Sequence, residues 1–225
     1  MPSIICDSSS LISLSETCLI DVLRFLRDSR LGGRFLITPV VKHEIVSHPM
    51  QIPQHEFSAI RLQKLLDDRV VEVVSTPGLA EQTKKILSLA NNLFSVRGRP
   101  LEILQEGEAE CLAAFAGMSA DGLLVDEKTT RMLVEDPLKL AESIGREYAG
   151  RPQVNESALT ELRELTRGIF VTRSSELLAV AGGQGFFKEY RGLQEHALRA
   201  ALLTLRNAGC SLTTDELREY SQMRV

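Results

Sequence analysis

Three acids, Glu106, Glu108 and Glu110, crowd the start of an alanine-rich apolar run, and a fourth, Asp126, ends the short apolar stretch Leu123-Leu124-Val125. Far upstream, Asp7 closes Ser3-Ile4-Ile5-Cys6, and Glu44 falls about one helical turn beyond Arg34-Phe35-Leu36-Ile37-Thr38. Crowded carboxylates repel and raise one another's pKa unless a counter-charge sits among them. Mg2+ or Mn2+ supplies it, since hard cations take oxygen ligands. Such ions activate a water and steady the leaving oxygen in phosphodiester cleavage.

The acids are not equivalent. Glu108 and Glu110 diverge by about 200° on an ideal helix. Both reach one site only where the helix start is distorted or meets the cleft end-on; otherwise one is a solvated first-turn acid favoured by the helix dipole. For Glu106, Asp121 and Glu127, plain surface charge is the favoured reading. That reading is weaker for Asp7, between an apolar strand and a serine-rich helix start. It is weaker still for Asp126, because Leu123-Leu124-Val125 buries the chain right up to it.

Strands and helices must alternate to bring these positions together. Strands are expected at 3–6, 34–38, 70–74, 122–125 and 169–172. Helices are expected from Ser8 or Ser9 as cap, from Pro39, and over 56–68, 79–95, 107–116, 129–141, 155–166, 174–181, 193–208 and 214–222. Residues 96–100, with Arg97 and Arg99, read as a loop. The alternation implies an α/β fold with a mainly parallel sheet, and in such sheets sites lie beyond the carboxyl ends of the strands.

Composition narrows the options. The chain has 225 residues, 44% hydrophobic and 25% charged, enough for a real core. Aromatics are 5% with no Trp, which argues against a platform of stacked rings. With a net charge of −4, a polyanionic partner must be met by a local basic patch or a metal ion. Arg97, Arg99 and Arg131 are candidates for such a patch. The histidines, His43, His48, His55 and His196, do not cluster at metal-ligand spacing. Cys6, Cys18, Cys111 and Cys210 show no paired spacing, so reduced thiols and a cytoplasmic location are expected. No apolar run reaches about 18 residues, so no membrane span is expected.

Four stretches taken in order resemble the successive motifs of PIN-domain proteins. They are Ile4-Ile5-Cys6-Asp7-Ser8-Ser9-Ser10, Ile37-Thr38-Pro39-Val40-Val41-Lys42-His43-Glu44, Gly107-Glu108-Ala109-Glu110, and Leu123-Leu124-Val125-Asp126-Glu127 with Arg131. The likeness is to the prokaryotic branch with a GEAE motif, which includes VapC-type toxins. Ile169-Phe170-Val171-Thr172-Arg173-Ser174 resembles the last strand and loop of that fold. The resemblance implies a three-layer α/β/α arrangement with a parallel sheet flanked by helices. It implies a Mg2+- or Mn2+-dependent ribonuclease, with Asp7, Glu44, Glu108 and Asp126 on the metal and Glu110 binding it or orienting a water. Ser9 would hold a ligand or a phosphate oxygen. It further implies single-stranded RNA as substrate, an antitoxin protein as a candidate partner and a homodimer as a candidate assembly.

Two stretches depart from the compact toxins. A helical insertion is expected at about 135–166 within a domain of residues 1–185, and a C-terminal helical extension over 186–225, packed on the same domain. Two rival functions stand beside the nuclease. One is a PIN-like binding or regulatory module without activity; the other is a metal-dependent phosphohydrolase of a small nucleotide.

Overall fold

The computed structural model describes residues 2–29, 32–148 and 150–221. The chain begins with β1 (Ser3–Cys6), α1 (Ser8–Glu16), α2 (Asp21–Asp28), β2 (Arg34–Ile37) and α3 (Pro39–Lys42). A π-helical turn (His43–Ser47) and a 3₁₀ turn (Pro49–Gln51) lead to α4 (Pro53–Asp67). Then come β3 (Val71–Val73), α5 (Leu79–Asn91), β4 (Phe94–Val96), β5 (Arg99–Pro100), α6 (Glu106–Met118) and β6 (Gly122–Leu124). The remainder is α7 (Lys128–Glu135), α8 (Pro137–Glu147), β7 (Gln153–Val154), α9 (Glu156–Leu165), β8 (Val171–Thr172), α10 (Ser174–Gly183), α11 (Gln194–Asn207) and α12 (Thr214–Ser221).

Five strands form the central sheet in the order β3-β2-β1-β6-β8, and every pairing in it is parallel. Helices flank it in the expected three-layer α/β/α arrangement. Ile5 and Cys6 of β1, Leu36 and Ile37 of β2, and Leu123 and Leu124 of β6 are all buried. Helices cover both faces, which is why these strands read as unbroken apolar runs instead of alternating ones. The chain moves outward from β1 through β2 to β3, then returns to lay β6 on the other side of β1. The strand order reverses between β1 and β6, and a cleft opens at the carboxyl ends there.

Four local expectations are corrected. The helix expected over 79–95 stops at Asn91, and residues 94–100 are a hairpin instead of a loop. Its turn places Arg97 at φ 52° and Gly98 at φ 75°, the left-handed pair that suits the twist of two adjoining strands. β4 also pairs with β7, forming a second, antiparallel sheet. The helix expected over 129–141 breaks at Asp136, whose carboxylate accepts from Lys139 N at 3.0 Å and so caps α8, with Pro137 in its first turn. The cap of α1 is Asp7 itself, not Ser8 or Ser9. The expected end of the last helix, Gln222, lies outside the described residues.

Beyond β8, Leu198, Leu202 and Leu205 of α11 are fully buried and belong to the same apolar cluster as the sheet. Arg173 ties α12 to α10. Its guanidinium bonds Glu176 at 2.7 Å, Glu216 at 2.8 Å and the Ser211 carbonyl at 2.6 Å.

Candidate active site

Asp7 follows β1 directly, and its N–H donates to the Leu124 carbonyl at 2.9 Å, continuing the pairing with β6. The side chain turns back to cap α1. Oδ2 accepts from Ser9 N at 3.1 Å and from Ser9 Oγ at 2.6 Å. Oδ1 is sealed from solvent and accepts no hydrogen bond of ordinary geometry from the described residues. Asp7 is 2% exposed, and burial drives its pKa up against the hydrogen bonds from Ser9 and Ser8. The Glu127 charge adds to the rise. Ser9 Oγ also accepts from Asp126 N at 3.4 Å, so one hydroxyl fastens the end of β1 to the end of β6.

Glu44 is delivered by α3. Thr38 caps that helix by accepting from Val41 N at 3.4 Å, and Pro39 follows with a φ already suited to a first turn. Glu110 reaches across from α6, and its Oε2 accepts from Val40 N at 2.8 Å. Glu44 then lies in the π-helical turn, closed by His48 N donating to the His43 carbonyl at 2.9 Å. π-turns recur at functional sites, where they re-aim a side chain. The Glu44 carboxylate rests on Gly107. A β-carbon there would stand 2.6 Å from Oε2 and 2.7 Å from Oε1. Burial raises the pKa of Glu44; a Ser8 hydroxyl bond opposes it, and the charges of Asp7, Glu106 and Glu110 reinforce it.

Glu108 and Glu127 face each other across Thr130. Glu108 Oε2 accepts from Gln105 N at 2.8 Å, closing a capping box at the start of α6. Its Oε1 accepts from the Thr130 hydroxyl. Glu127 caps α7, accepting from Thr130 N at 2.6 Å. Thr130 is 1% exposed, so this junction lies in the body of the protein. Burial lifts the Glu108 pKa to about 7, and the charges of Asp7 and Glu127 push the same way.

These side chains line one open cleft of about 440 Å³, with Asp7, Ser8, Ser9, Glu44, Glu108 and Glu127 in its wall and the exposed Glu102 at its rim. Of the residues expected from sequence, the cleft brings together Asp7, Glu44, Glu108 and Ser9. Glu110 and Asp126 do not line it. Glu110 is 7% exposed and spends an oxygen on the start of α3. Asp126 is 2% exposed and directs both oxygens at Ser174, Oδ1 accepting from its N–H at 2.8 Å and Oδ2 from its hydroxyl at 2.6 Å. The acid that enters from this part of the chain is Glu127, which sequence reasoning left as surface charge. Its only signal was its place directly after the strand-ending aspartate.

The chemistry of this wall suits a divalent cation. All its charged groups are carboxylates, hard oxygen donors, and among the described residues no lysine or arginine forms an ion pair with Asp7, Glu44, Glu108 or Glu127. Asp7 Oδ1 is a buried acceptor with no ordinary hydrogen bond from the described residues. Among the described residues no three acids, histidines or cysteines already stand at coordination geometry. Among the described residues no helix is long and apolar enough to cross a membrane.

A family profile described as a PIN domain matches residues 3–137. Searches of curated proteins and of solved structures gave no match.

Proposed function

The chain belongs to the PIN-domain family, whose members are commonly nucleases and generally use divalent metal ions, and we propose that it is a Mg2+- or Mn2+-dependent endoribonuclease of single-stranded RNA. The observation that carries the reading is the convergence of Asp7, Glu44, Glu108 and Glu127, from four separate elements, on one cleft that holds no cationic partner for them. A bound cation would offset their repulsion and activate water for attack on a phosphodiester.

The chain's own residues divide the work. Asp7 supplies the carboxylate at the end of β1, and Ser9 holds its Oδ2. Glu44 is held over Gly107, and Glu110 positions it by securing α3. Glu127 takes the fourth place expected of Asp126, while Asp126 positions α10 through Ser174. Glu108 is held in the cleft wall by Gln105 N and the Thr130 hydroxyl.

The test is cleavage of labelled single-stranded RNA with Mn2+. Cleavage should vanish with a chelator and in Asp7→Asn. Equal activity in Asp7→Asn, or turnover of mononucleotides with RNA left intact, would overturn the reading. The proposal extends to a toxin-type role in the cytoplasm, with a small antitoxin silencing the cleft and a homodimer as the assembly. Growth arrest on induced expression, relieved by Glu127→Gln, tests the toxin role.

A further inference from the structure

A second cavity, about 400 Å³, adjoins the acid cleft, and the two share Glu102, Ile103 and Thr129 in their walls. Its far side is α8 with Tyr148, so much of it comes from chain beyond the residues that the PIN profile matches. Its lining mixes two chemistries. Ile103, Met132, Leu140 and Ile144 are apolar, Thr129 and Ser143 offer hydroxyls, and Glu102 and Glu147 carry negative charge. Tyr148 stands at the mouth, 45% exposed. Lys128, next in sequence to Glu127, also lines it, and among the described residues no carboxylate pairs with its ammonium.

An apolar slot with a polar edge, an aromatic ring and a cation is the chemistry that holds a nucleobase and the phosphate beside it. We propose that this cavity is a base-binding subsite of the same reaction, taking the base of a nucleotide adjacent to the scissile phosphate, with Tyr148 stacking on it and Lys128 meeting its phosphate. The inference rests on the ribonuclease reading. The base must be unpaired to enter, because bases of a duplex stay stacked within it. That makes single-stranded RNA the substrate and lets the segment around α8 set which base is preferred.

The experiment reads KM for Mn2+-dependent cleavage of short single-stranded RNA by the full chain. Tyr148→Ala removes the ring, and Ser143→Trp fills the cavity. Each should raise KM roughly tenfold, the cost typical of losing one base stack. Phe57→Ala, at an exposed position on α4, should keep the parental KM. Ultraviolet crosslinking of RNA carrying 5-bromouridine should map to Tyr148 or Met132. A parent that cleaves RNA while both variants keep its KM overturns the subsite and leaves the nuclease reading standing. A parent that neither binds nor cleaves RNA overturns both. Binding of a free nucleoside monophosphate as tightly as of the oligonucleotide would make this a small-nucleotide site and overturn the assignment to a strand.

Discussion

Gly107 lies under the Glu44 carboxylate so closely that a β-carbon on it would stand 2.6 Å from Oε2 and 2.9 Å from Cδ. The glycine of the Gly107-Glu108-Ala109-Glu110 motif therefore lets a carboxylate from sixty-odd residues away lie against the helix, and a β-carbon there would turn that flexible side chain aside. Gly107→Ala improves helix propensity by about 1 kcal/mol, yet it must push Glu44 aside. Displacements of about 1 Å cost on the order of a hundredfold in rate. We expect Gly107→Ala to lose metal-dependent RNA cleavage by about that factor while circular dichroism shows the fold retained. Parental activity would refute the steric account.

Asp126 and Glu127 are neighbours with opposite duties. Asp126→Asn replaces one of the two acceptors on Ser174 by an amide NH2 and removes the charge, so the Ser174 hydroxyl must turn from donor to acceptor in a buried site. The expected cost is about 1–3 kcal/mol, seen as a lower denaturation midpoint. Glu127→Gln, at the cleft, should leave the midpoint near the parent's and cut activity at least about a hundredfold, the scale of losing one preorganised charged group. The reverse pattern, with Asp126→Asn stable but inactive and Glu127→Gln active, would restore Asp126 to the metal.

The metal-free protein should lose stability as pH rises. Glu108 has a folded pKa of about 7 against an ordinary 4.5, so between those values the folded chain holds a proton that the unfolded chain releases. Its stabilising contribution is complete below the lower value and gone above the higher. Asp7 and Glu44 shift in the same direction. Calorimetry on chelator-treated protein should show the midpoint falling from about pH 5 to about pH 8. Mn2+ should raise it most at the alkaline end, where the carboxylates are ionised. A midpoint that is flat or climbs across the window contradicts the burial of these acids.

Arg173 holds the C-terminal helix by charge. Burial alone would raise the Glu216 pKa, yet its bond to Arg173 brings it down to about 2. Arg173→Met should cost on the order of 3 kcal/mol. Each kcal/mol is worth about 2–4 °C in a chain of this size. Hydrogen exchange should rise in α12 and at the start of α10 before it rises in the sheet. Uniform exchange throughout would show that α12 does not depend on the clamp.

Much of the fold was legible because its strands are buried on both sides. Ile4-Ile5-Cys6 and Leu123-Leu124-Val125 announce themselves as apolar runs ending in an acid, and Val70 to Val74 is β-branched. The hairpin at 94–100 was not legible, because the spacing of Leu79, Ile86 and Leu93 carries a helical signal past Asn91, where the helix ends. The site was half legible for a related reason. Successive residues of an extended chain face opposite ways, so choosing between Asp126 and Glu127 requires knowing on which side the cleft opens. The same holds for Glu108 and Glu110 on their helix. Only the packing of α6 against β1 and β6 decides that Glu108 faces the cleft and Glu110 faces α3.

Asp7 Oδ1, shut away from water with no ordinary hydrogen bond from the described residues, leaves a local frustration at the end of the central strand. If the proposed cation binds there, the protein's lifetime is coupled to its surroundings. When divalent ions are scarce, more of the population would be open at any moment, and proteases cut the open form in proportion to its share. Ion supply would thereby govern how long each copy of the protein survives as well as how fast it works.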